Sequence, residues 1–178
     1  MKKVIVLFIA ITYGFSIFAQ IWERKNVGNN VSVSMPSGVN YELKNTKGKN
    51  VGQYICKSDN CIFMVFVMYE MRPDYAEFIN LDKAEQKNIT SLLLDNNCNG
   101  KLMYVNGKSL SESAEINNYQ ARNLTYKAVN PVTGNESERH SFSFVVANKL
   151  FSFECWYLIE NSQSQTEKNK FIKSIEIK

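Results

Sequence analysis

His140-Ser-Phe-Ser-Phe-Val-Val-Ala-Asn-Lys-Leu-Phe-Ser-Phe-Glu-Cys-Trp-Tyr157 is the stretch whose reading decides the fold. Apolar and small polar residues alternate on both sides of Asn148, the period of a half-buried strand, twice over, with a turn between. With Asn148-Lys149 as that turn, Val146 faces Phe151, Phe144 faces Phe153, Phe142 faces Cys155 and His140 faces Tyr157. One face is then apolar and aromatic. The other presents Ser141, Ser143, Ser152, Glu154 and Trp156. A slip of one residue would set Ser143 against Phe153, so the pattern protects its own parity.

Upstream, Val31, Val33 and Met35 alternate with serines before Pro36, a second half-buried strand, and a short strand is expected near Tyr41 to Leu43. Val51 to Cys56 and Cys61 to Tyr69 read as a hairpin across Lys57-Ser58-Asp59-Asn60. The second of these runs is apolar at both parities, so it should be covered on both faces. From Pro73 to Asp95 the apolar residues change to helical spacing, and the better helix is predicted over Leu81 to Leu94. Asn96 to Gly100 should stop it. A strand over Leu102 to Val105, a turn at Asn106-Gly107, a strand over Tyr119 to Ala128, a closing helix over Gln163 to Lys173 and a short strand at Ile175 to Ile177 complete the reading. The asparagines at 96, 97, 99, 117 and 118 carry no inference by themselves. The fold class that follows is α+β, an antiparallel sheet of about six or seven strands covered by helices.

This order, with VSVSMP (Val31 to Pro36), NYQARNLTY (Asn118 to Tyr126), FSFECWYLIE (Phe151 to Glu160) and FIKSIEI (Phe171 to Ile177), resembles the PsbP-like α/β/α sandwich, in particular its small secreted bacterial members. The resemblance implies a non-enzymatic binding or accessory role and transfers no functional residue.

The chain has 178 residues, 44% apolar, with four cysteines and one histidine, which fits one domain without linker or repeat. Lys2 and Lys3 followed by the apolar run Val4 to Phe18 and Ala19 read as a secretory signal, residues 1–19, leaving a single domain over residues 20–178. The run is shorter than the roughly 20 residues that span a bilayer. Export to the periplasm or outside the cell is the expected location. Loss of Lys2 and Lys3 halves the formal excess of +4, which removes the argument for nucleic acid or an anionic membrane surface.

Export permits disulfides, and Cys56 with Cys61, across the four-residue turn, and Cys98 with Cys155 are the expected pairs. A redox role for Cys56 and Cys61 is disfavoured because the spacing is not CxxC. Asp95-x-Asn97-x-Asn99-Gly100 matches half of a calcium loop, but the twelfth position is Asn106 rather than a glutamate, so it reads as a helix cap and polar loop. His140 is the sole imidazole around which a catalytic triad could be built, and its parity puts it on the inward face near a strand end. Glu154 beside Trp156 evokes a glycosidase carboxylate without a second acid at a readable spacing. A structural ion pair with Arg122 or Arg139 is the plainer reading. Glu154, Trp156, Arg122 and Tyr126 form the candidate ligand groove. The expected function is therefore non-catalytic binding of a protein or envelope component, with no cofactor or metal. The alternative is a small extracytoplasmic hydrolase using carboxylates or His140.

Overall fold

The computed structural model describes residues 20–178 except 47, 104, 106, 107 and 131. The expected signal segment and the Asn106-Gly107 turn lie outside the described residues. Among the described residues the chain forms ten strands and three helices: β1 (Trp22–Gly28), β2 (Val31–Pro36), β3 (Asn40–Thr46), β4 (Lys49–Lys57), β5 (Cys61–Met68), α1 (Tyr75–Phe78), α2 (Lys83–Leu102), β6 (Ser109–Ile116), β7 (Tyr119–Val129), β8 (Glu136–Val146), β9 (Lys149–Tyr157), α3 (Ser162–Lys173) and β10 (Glu176–Ile177).

Seven strands form one antiparallel sheet in the order β3-β4-β5-β9-β8-β7-β6, and β1-β2-β10 form a second, small sheet. The main core lies between them. Val27, Val31, Val33 and Met35 of the small sheet meet Phe63, Val65, Phe144, Phe151 and Phe153 of the large one, with Phe171 of α3 closing the layer. The five phenylalanines are fully buried, and the rings of Phe144, Phe151 and Phe153 stack with centroids 5.5 and 5.6 Å apart. The opposite face of the large sheet is covered by α2, where Cys98, Leu124 and Tyr126 make a second, smaller core. The architecture is α+β, as the alternation predicts.

The decisive hairpin turns one residue earlier than expected. Ala147 and Asn148 both hold positive φ (46° and 60°), and Val146 pairs with Lys149, Phe144 with Phe151 and Phe142 with Phe153. Moving the turn by one position shifts each pairing by two residues, so both faces keep their members. That is why the core assignment survives the error. Asn29-Asn30 (50° and 59°) and Asn117-Asn118 (46° and 66°) likewise hold two successive positive φ values. Asparagine tolerates this left-handed backbone, which two-residue hairpins need at both central positions.

Two elements depart more strongly. α2 runs through Asn96–Gly100 to Leu102, where a stop and then a strand are expected. Ser91, Asp95, Cys98 and Lys101 recur at helical spacing and meet the sheet, with Leu94 buried beside them, so tertiary contacts outweigh the weak local preference of three asparagines and a glycine. The half-matched calcium loop is thereby helical, neither a cap nor a polar loop, and no cluster of metal-ligating side chains exists among the described residues. The strands β1 and β6 are absent from the sequence reading because both are mostly polar and exposed.

The four cysteines are free and buried, so neither expected disulfide is present. Cys56 pairs with Phe63 rather than with Cys61, because the β4–β5 turn closes with Ser58 bonded to Cys61. Cys98 and Cys155 belong to the cores on opposite faces of the sheet.

Candidate functional site

Glu154 sits mid-strand on β9 on the α2 face, 5% exposed. Its partner is neither Arg122 nor Arg139 but Lys101, from the last turn of α2, whose Nζ lies 2.8 Å from Glu154 Oε1. The same ammonium donates to the hydroxyls of Ser141 and Ser152, so its three protons are committed. Trp156 Nε1 donates to Glu154 Oε2 at 2.9 Å, and the Arg139 guanidinium lies 3.7 Å above the Trp156 ring. Asn97 Nδ2 donates to Ser143 Oγ at 3.1 Å. The charges are out of water but fully partnered, the condition under which a buried pair is tolerated.

Arg122 is tied about two to three turns back along α2. Its Nε donates to Asp95 Oδ1 at 2.7 Å and its Nη2 to Ser91 Oγ at 2.5 Å. Tyr126, 4% exposed, has its hydroxyl pKa pushed up to about 12, by burial first and by the Glu154 carboxylate second. The candidate groove residues Glu154, Trp156, Arg122 and Tyr126 thus share one sheet face, as expected, but α2 lies on that face, its side chains bind Glu154 and Arg122, and Trp156 spends its N–H on Glu154. What remains open is a hollow of about 240 Å³ at the helix edge, with Val51, Phe66 and Met68 lining it beside Lys101 and Glu154.

His140 faces the other way, toward the main core, 8% exposed, with its ring 5.0 Å from that of Tyr157. It lies in mid-strand rather than near a strand end, because β8 begins at Glu136. Thr125 Oγ1 lies 3.1 Å from its Nδ1, and Glu138 Oε1 lies 2.7 Å from its Nε2 but out of line for a hydrogen bond. Burial, and next the Lys168 charge, lower the imidazole pKa below its ordinary value, with Glu138 opposing them. Hydroxyl, imidazole and carboxylate stand in triad order beside a hollow of about 560 Å³ that Thr125 and Glu138 help to line. An acyl-transfer site also needs free N–H donors for the oxyanion. Here β7 and β8 are both interior strands, paired on each side, so their amides are spent in the ladders.

A different cleft is built from residues that the sequence reading did not single out. The β5–α1 connection is pinned to the β8–β9 turn: Arg72 N donates to Asn148 Oδ1 at 2.8 Å, and Asn148 Nδ2 donates to the Arg72 carbonyl at 2.9 Å. This holds α1 over the end of the sheet with none of its residues buried. Tyr75 and Phe78 stack with centroids 6.0 Å apart, and Arg72 caps Phe78 at 4.7 Å. Together with Tyr119 on the β6–β7 hairpin they flank a cleft of about 450 Å³, a size usual for small-molecule sites. Asn118 and Gln120 bring side-chain amides to its wall and Lys83 and Lys87 bring charge, whereas the Asn148 amide is held by Arg72 and the Gln86 amide nitrogen by the Ile79 and Leu81 carbonyls. The one signal for it in the sequence is Tyr75 and Phe78, two aromatics three residues apart just after Pro73, in a segment too short to be a core helix.

No protein-family model matches the chain, and no curated protein is similar to it. Among solved structures it is similar to a protein of Bacteroides thetaiotaomicron VPI-5482, determined at 1.50 Å, with 13% sequence identity and a TM-score of 0.41. The likeness covers 84% of this chain and 45% of that one, so the chain spans less than half the length of the protein it matches.

Proposed function

We propose that the protein is an exported, non-catalytic binding module on a PsbP-like sandwich that takes an envelope saccharide into the α1 cleft. The observation that carries this reading is the stacked pair Tyr75 and Phe78, held out of the core above a cleft walled by side-chain amides. Apolar ring faces with a few converging polar groups are what a small-ligand site needs, and sugar rings offer both a C–H face to aromatics and hydroxyls to amides. The proposal of export rests on the segment Lys2 to Ala19, and that of the PsbP-like family on the order of strands and helices.

The row Thr125, His140 and Glu138 favours a second reading, hydrolysis in the neighbouring hollow. The misaligned carboxylate and the committed strand amides weigh against it. Titrating isotope-labelled protein with soluble peptidoglycan fragments separates the two. Amide shifts confined to Tyr75, Phe78, Tyr119 and Asn148, with the fragments recovered intact, are the expected result. Shifts elsewhere, or none at millimolar fragment, overturn the binding reading. Cleaved fragments whose formation is lost in His140→Ala establish the hydrolase.

A further inference from the structure

Cys61 and Cys155 lie on adjacent strands of the large sheet and on the same, core-facing side. Cys61 pairs with Tyr157 and Phe63 with Cys155, so the two cysteines are diagonal neighbours across the β5–β9 ladder. Both are wholly buried. We infer that these two thiols are the site of this protein's oxidative cross-link, a Cys61–Cys155 disulfide that fastens the two central strands, with Cys56 and Cys98 remaining free.

The other pairings fail on position. Cys98 lies in the core beneath α2, on the far side of the sheet from the remaining three. Cys56 and Cys155 both pair with Phe63, one on each side, which sets them two strand spacings or about 9–10 Å apart. A disulfide bridges Cα atoms less than about 7 Å apart. Cys56 is also a diagonal neighbour of Cys61, but across β4. Register alone leaves both diagonals open, but the Cys61 thiol is a hydrogen-bonding neighbour of Cys155, and no such contact joins it to Cys56. The Cys61 Sγ also donates to the Ser164 carbonyl of α3 at 3.7 Å. α3 packs over β5, β9 and β2. The Cys56 thiol is raised to about 12 by burial, with the Lys25 charge of β1 opposing. Cys155 is raised by burial first and then by the Cys61 thiol beside it.

The chemistry is thiol–disulfide exchange with a small disulfide oxidant such as oxidised glutathione. One cysteine thiolate attacks the oxidant, forming a mixed disulfide and expelling one glutathione thiolate. The second cysteine thiolate attacks the mixed disulfide, forming the Cys61–Cys155 bond and expelling the other. Two protons and two electrons leave the protein, and the oxidant becomes two thiols. Because both sulfurs are sealed in the folded core, the exchange belongs to folding, before α3 closes over them.

The test is refolding of the protein from denaturant in a glutathione redox buffer, followed by alkylation of remaining thiols and peptide mapping without reduction. The expected map contains one cross-linked peptide pair, holding Cys61 and Cys155, with Cys56 and Cys98 alkylated. A Cys56–Cys61 or Cys98–Cys155 link, or four alkylated cysteines, overturns the inference. Cys56→Ser and Cys98→Ser should leave the cross-link in place, whereas Cys61→Ser should abolish it and leave three alkylated cysteines. Reduction of the cross-linked form should lower its urea midpoint.

Discussion

The ammonium of Lys101 at the end of α2 lies 2.8 Å from the carboxylate of Glu154 in the middle of β9, and both side chains are almost wholly withdrawn from water. Removing one charge strands the other, which in buried pairs costs about 3–5 kcal/mol. Lys101→Met should therefore lower stability in urea by about that amount. Lys101→Met combined with Glu154→Leu should recover most of the loss, because no unpaired charge is then left in the interior. A double variant no more stable than the single one would show that the pair itself, rather than its compensation, is what matters.

Phe153 and Phe171 lie wholly inside the main core, with ring centroids 6.1 Å apart. Truncation of either to alanine removes a large apolar surface and leaves a cavity, worth about 3–5 kcal/mol. Denaturant unfolding of Phe153→Ala and Phe171→Ala measures this. Leu92, 61% exposed on α2, provides the contrast, and Leu92→Ala should change stability by less than about 0.5 kcal/mol.

Ala147 occupies a left-handed position in the β8–β9 turn, with φ of 46°. Glycine takes that backbone without the Cβ clash, which costs an ordinary residue about 1–2 kcal/mol. Ala147→Gly should gain up to about 1 kcal/mol in urea, since glycine also adds freedom to the unfolded chain.

His140 is held neutral by burial and by Lys168, so its folded pKa lies below the ordinary value. The unfolded chain, with an imidazole pKa of about 6.5, binds a proton first as pH falls. The contribution is fully present above that pH and is lost as pH falls through the window down to the folded pKa. Thermal midpoints should accordingly drop between pH 7 and pH 5, and His140→Gln should flatten that part of the profile.

Tyr75 supports no core, so Tyr75→Ala should leave the unfolding midpoint within about 0.5 kcal/mol of the parent. A stacked ring is worth about 0.5–1.5 kcal/mol beyond its buried area, which corresponds to a several-fold weakening of peptidoglycan-fragment binding. Calorimetric titration reads this directly.

The layered α+β arrangement is legible because Phe142, Phe144, Phe151 and Phe153 are set apart by Ser143 and Ser152 at a period of two, which defines one aromatic face. α2 is poorly legible beyond Leu94 because its sheet-facing positions are Asp95, Cys98 and Lys101, whose roles depend on partners supplied by β7, β8 and β9. For the same reason the residues of the candidate groove can be placed on one face from sequence, but the helix that fills it cannot. The α1 cleft rests on Asn148 reaching across the fold to Arg72, a contact with no local signature. The Asn29-Asn30 and Asn117-Asn118 pairs are local turn signals. In each, two adjacent asparagines mark a two-residue turn between strands.

The small sheet joins distant parts of the chain: Ser32 of β2 pairs with Glu176 of β10, and Lys178 N donates to the Asn30 carbonyl at 3.0 Å. Its third strand is therefore laid down only after every strand of the large sheet has been synthesised. Contacts of such sequence separation are slow to form. Until they do, Val31 and Ser32 of β2 lack their second strand neighbour, and that edge of the small sheet stays unpaired. The third strand of the small sheet can thus close only once residues 176–178 are available to pair with β2.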